Sequence, residues 1–73
     1  PDPVPPPEPW RPELDFLSSL RPLPKQQRVA AALYYAADLP LSEVAGIMGI
    51  SEGAVKSHLH RARHALRDLV KEE

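Results

Sequence analysis

Seven polar residues near the carboxy end have the types and spacing to hold a polyanion: Lys56, Ser57, His60, Arg61, Arg63, His64 and Arg67. An arginine fork can donate two hydrogen bonds to a guanine edge, a lysine can meet guanine or phosphate, and a serine is short enough to permit close approach. At about 100° per residue, six of these side chains share one helix face, with Arg63 on its flank. Such a face taken alone is commonly no more than a solvated surface. The three histidines also raise a metal site, but only His60 and His64 stand at i, i+4; His58 points well away. That face carries no carboxylate or thiolate to complete a ligand set, so no metal site is expected. There is no glycine-rich phosphate loop, nucleophile motif or paired-carboxylate constellation. Asp38 and Glu43 read as solvated or capping groups. No catalytic residue and no cofactor is expected, and the chain does not read as an enzyme.

The elements around these residues raise the odds of a DNA-reading face. Val55, Leu59, Ala62, Leu66 and Leu69 follow the spacing i, i+4, i+7, i+11, i+14, the apolar stripe of an amphipathic helix starting at Ser51. Ser51 can accept from the first-turn N–H groups, and Glu52 suits the positive end of the helix dipole. Just before it, Leu41, Val44, Ala45 and Met48 mark a shorter helix. Gly49-Ile50-Ser51 follows as a tight turn, with Gly49 fit for a left-handed conformation, Ile50 for an apolar plug, and Ala45 small enough for a close helix crossing. Two helices joined by a short glycine-containing turn, the second one basic, describe a helix-turn-helix.

The totals fit one small domain. The chain has 73 residues, no cysteine and a net charge of −1. A chain this short is near the lower limit for a self-supporting core. No apolar run approaches the roughly 20 residues of a membrane span and no signal peptide is visible, so no membrane partner and a cytoplasmic location are expected. The charge is unevenly spread: residues 52–67 hold Lys56, Arg61, Arg63 and Arg67 against Glu52 alone, while the first fifty residues lean acidic. One basic helix on an otherwise near-neutral domain implies weak DNA binding by the isolated chain, and hence a tether.

Along the chain, residues 1–11 read as a proline-rich linker of polyproline-II character, and residues 12–73 as a helical domain. Trp10, Leu14, Leu17 and Leu20 recur at helical spacing, which predicts a helix over 12–20 with Trp10 covering the core. Pro22 breaks it. A second helix is expected over 24–37, with Val29, Ala32, Leu33 and Ala36 inward; Asp38-Leu39-Pro40 ends it. The sum is an all-α, four-helix domain with a carboxy-terminal helix-turn-helix and no strand.

The motifs Leu23-Pro24-Lys25-Gln26-Gln27-Arg28, Leu33-Tyr34-Tyr35, Glu43-Val44-Ala45, Met48-Gly49-Ile50-Ser51-Glu52-Gly53 and Val55-Lys56-Ser57-His58-Leu59-His60-Arg61-Ala62-Arg63 carry a family resemblance. From about Leu20 to Leu69 the chain resembles the carboxy-terminal, −35-element-binding domain of bacterial RNA polymerase sigma factors, in particular the extracytoplasmic-function class. The resemblance implies a helical bundle whose last helix reads the promoter −35 element while docked on the flap of RNA polymerase. It makes Lys56, Ser57, His60 and Arg61 the base-contacting group and puts Glu52 and Gly53 beside the DNA backbone. Arg63, His64 and Arg67 suit phosphate by position and type, and the start of the Leu41 helix can hold a further phosphate. Three positions depart from the usual pattern: Ala54 stands for a threonine, His58 for an arginine, and Pro40 for a serine or threonine cap.

Two other functions remain open from the residues. The resemblance also implies an anti-sigma factor as a partner, and an apolar side made by Leu20, Leu33 and Tyr35 could dock it or the polymerase flap, with little DNA reading by the domain itself. The response-regulator type of helix-turn-helix has a similar recognition helix. The Leu23-Pro24 opening and the Arg61-Ala62-Arg63 ending favour the sigma reading.

Overall fold

The computed structural model describes residues 12–71, with side chains from 15 to 68. The linker at 1–11, Trp10, and the side chains of Leu14 and Leu69 lie outside the described residues. Four helical segments and no strand make up the described chain: α1 Pro12–Ser19, α2 Lys25–Ala31 continuing into a π-helical turn at Ala32–Ala36, α3 Leu41–Met48 and α4 Glu52–Lys71. The all-α architecture expected from the residue spacing is the one observed.

Prolines and glycine set the boundaries. After α1 the chain turns over Leu20 and Arg21, whose N–H groups donate to Leu17 and Ser18 at 3.2 Å each. Pro22 lacks the N–H to go on. Leu20 and Leu23, on either side of this break, point inward and are 1% and 5% exposed. Pro24 then stands at the entrance of α2 in an extended conformation. At the other end, Gly49 adopts φ 68° and ψ 33°, the left-handed geometry that closes α3. The N–H groups of Gly49 and Ile50 both donate to the carbonyl of Ala45, so the turn is pinned to the last turn of the helix.

The second helix departs from its expected phase. Its last turn is widened by one residue: the Ala37 N–H donates to Ala32 O at 3.0 Å, an i→i+5 bond, and Leu39 N–H reaches Leu33 O at 3.1 Å. Asp38, at φ 57°, ends the element in the left-handed region. The fully buried positions are Ala30 and Ala31, which precede the wide turn and are both 0% exposed, whereas Val29, Ala32 and Leu33 are half-buried and Ala36, within the turn, is exposed. The expectation of Val29, Ala32, Leu33 and Ala36 as the inward stripe is corrected: Ala32 and Leu33 pack on the edge of the core, Ala36 is exposed, and the deepest places belong to Ala30 and Ala31. A constant 100° step loses phase only from the wide turn onward, so the turn accounts for Ala36 and not for Ala30 or Ala31.

The core consists of Leu20, Leu23, Ala30, Ala31, Val44, Ala45, Val55, Leu59 and Ala62, with no polar or charged residue buried among those described. Four of these are alanines, which bring backbones close rather than fill volume. The small faces of α2 and α3 both pack on α4. Phe16, Leu33, Tyr34, Leu39, Leu41, Met48, Ile50, Ala65 and Leu66 surround this centre at partial exposure. Leu20, expected on a partner-accepting side, is instead one of the most deeply buried side chains, because the turn after α1 folds it under the bundle. No helix among the described residues is long and apolar enough to cross a membrane.

Candidate nucleic-acid interface

Helix α4 is built to show one side and hide the other. Val55, Leu59 and Ala62 are 0%, 4% and 0% exposed, and Ala65 and Leu66 are half-buried. Lys56, Ser57, His60, Arg61, Arg63, His64 and Arg67 are all exposed. The helix starts where the side chain of Ser51 can reach its first turn: Ser51 Oγ accepts the N–H of Ala54 at 3.1 Å, and Ser51 O accepts that of Val55 at 3.1 Å. The cap is supplied by the residue expected to supply it.

Two concave surfaces lie along the polar side. Lys56, Ser57, His60, Arg61 and Arg63 surround one of about 490 Å³. His60, Arg63, His64 and Arg67 surround another of about 230 Å³. The first gathers the whole expected base-contacting group, and the second gathers the residues expected to meet phosphate. His60 and Arg63 belong to both, so the two form one continuous strip. Along it the His60 and His64 rings meet edge to face, centroids 4.5 Å apart at 70°. Among the described residues no group of three metal-ligating side chains comes together.

Glu52 and Gly53 are exposed in the first turn of α4. A Cβ on Gly53 would find only Ser51 Oγ, at 3.9 Å, so packing does not require glycine there. Pro40 gives α3 no side-chain cap, and Glu43 sits in its first turn.

Two features of the site depend on packing between segments and are not legible in helical spacing. Arg63 Nη1 donates to Tyr35 Oη at 3.2 Å, which ties the flank of the strip to the π turn 28 residues earlier. The sequence reading places Tyr35 only on the docking side. It is 40% exposed and stands beside a concavity of about 410 Å³ formed with Tyr34, Asp38, Leu39, Pro40 and Leu41; Leu33 is half-buried. The second feature is His58, about 60° around the helix from Val55 at 100° per residue. It is half-buried, and its Nδ1 is enclosed without a hydrogen-bond partner.

A helix closed by left-handed Gly49, a short turn, and a capped second helix with a basic outer face define a DNA-binding helix-turn-helix domain. The model of the family described as Sigma-70, region 4, matches residues 14–66, and the chain belongs to that family. It is therefore a sigma-factor DNA-binding domain acting in promoter recognition with RNA polymerase, a regulatory rather than an enzymatic family.

Proposed function

We propose that this domain reads the promoter −35 element as the carboxy-terminal domain of an extracytoplasmic-function sigma factor, docked on the flap of RNA polymerase in the bacterial cytoplasm. The observation that carries the proposal is the division of α4: Val55, Leu59 and Ala62 are buried while Lys56, Ser57, His60 and Arg61 face solvent around one concave surface. In this reading Arg61 donates its fork to a guanine edge, Lys56 meets guanine or phosphate, and Ser57 and His60 contact neighbouring bases. Arg63, His64 and Arg67 hold phosphates, while Glu52, Gly53 and the uncapped start of α3 lie along the backbone. Tyr35, Leu33 and the concavity beside Tyr35 form the side that accepts the polymerase or an anti-sigma factor. Net charge is −1, so affinity for DNA alone is low and docking supplies the rest.

The test is selection from a random-sequence duplex pool by the domain tethered to RNA polymerase, followed by salt titration of the selected sequence. A short enriched motif whose recognition is lost in Arg61→Ala supports the proposal. A pool that emerges unenriched, or binding indifferent to ionic strength, refutes it.

A further inference from the structure

We propose that Tyr35 is a positioning residue for DNA binding: its phenol holds Arg63 at the edge of the basic strip, ready to receive a phosphate. This rests on the DNA reading given above and assigns a role to a residue on the opposite element. Arg63 is the member of the strip that lies on its flank, and it lines both concave surfaces. A free arginine there would sample many rotamers and lose that freedom on contact with phosphate. The bond from Nη1 to Tyr35 Oη, at 3.2 Å, removes part of that freedom in advance. It uses one of five guanidinium N–H donors and leaves the others for an anion.

The phenol can serve as a post because its own ring is fixed. Phe16 of α1 meets the Tyr35 ring edge-on with centroids 6.0 Å apart, and Tyr34 does so at 5.0 Å. Three elements thus converge on this contact: α1 through Phe16, the π turn through both tyrosines, and α4 through Arg63. Having accepted from a cation, the Tyr35 hydroxyl still has its own O–H to donate, and the accepted bond polarises it.

A double-mutant cycle tests this, read as affinity for a labelled random-sequence duplex at low salt. Tyr35→Phe keeps the ring and its aromatic neighbours and deletes only the hydroxyl. With Arg63 present it weakens binding about three- to fivefold. In the Arg63→Ala background the same change has no effect on affinity. The thermal midpoint of Tyr35→Phe stays at the wild-type value, which separates positioning from folding. An equal loss in both backgrounds, or no loss from Tyr35→Phe where Arg63→Ala does weaken binding, overturns the assignment while leaving the DNA reading intact. A wild-type chain that ignores the duplex removes both.

Discussion

Ser51 Oγ sits 3.1 Å from the Ala54 N–H, and this one bond fixes the residue at which the basic helix begins. Start and phase are coupled: moving the start by a residue would rotate the buried stripe by about 100° relative to the turn. With Ala54 in place of a hydroxyl-bearing residue, Ser51 is the only side-chain cap among the described contacts of this turn. Ser51→Ala should destabilise the domain by about 1 kcal/mol in urea denaturation. A midpoint equal to wild type would show that the cap is dispensable.

Two glycines should respond in opposite directions. Gly49 holds a left-handed φ of 68°, so Gly49→Ala should cost about 1–2 kcal/mol of stability. Gly46 is exposed within α3 with nothing near the position of a Cβ, so Gly46→Ala should raise stability by up to about 1 kcal/mol. Thermal denaturation of the pair checks both signs at once.

Arg61 and Arg67 should differ in kind. Arg61→Ala should lose about 1–3 kcal/mol on the selected duplex and relax preference at one base pair. Arg67→Ala should weaken binding to all sequences alike and lower the salt slope by about 1. Fluorescence anisotropy over a salt series distinguishes them, and matching behaviour by the two variants would contradict the assigned roles.

Gly53 offers a separation of folding from binding. Its Cβ position is open, so Gly53→Leu should leave the fold intact by circular dichroism. If a DNA strand passes against the first turn of α4, the same side chain should reduce duplex affinity at least tenfold. Unchanged affinity would remove Gly53 from the interface.

The orphaned Nδ1 of His58 makes a fifth case. An enclosed polar atom without a partner costs about 1–3 kcal/mol, less where the residue is partly exposed. His58→Leu should therefore match or exceed wild type in urea midpoint, and a clear loss would show that the imidazole has a role in the fold.

Much of this domain could be read from spacing alone, and the exceptions have definite causes. The α4 stripe, the Gly49 turn and the Ser51 cap are local features, governed by residues within a turn or two of each other, and they appear where the residue pattern put them. The α2 face does so only in part: the π turn carries Ala36 out of the stripe, whereas the burial of Ala30 and Ala31 depends on how α4 packs against them. Leu20 belongs to the helical series of the first segment and is buried with the core; the reversal at Arg21 and Pro22 keeps it from the docking side. For the interface, the polar members of α4 were legible as a face. The contact from Arg63 to Tyr35 was not, since it depends on how α2 and α4 pack rather than on either segment.

The alanines between α2, α3 and α4 have a consequence for how faithfully the outer helix meets a ligand. Ala30, Ala31, Ala45 and Ala62 have no rotamers, so the seam cannot absorb an added methyl by turning a side chain aside. Enlarging any of them would tilt the outer helix as a rigid rod about 30 Å long, and a small change at the pivot would grow towards its far end. The smallest side chains in the domain thus govern where its longest ones arrive.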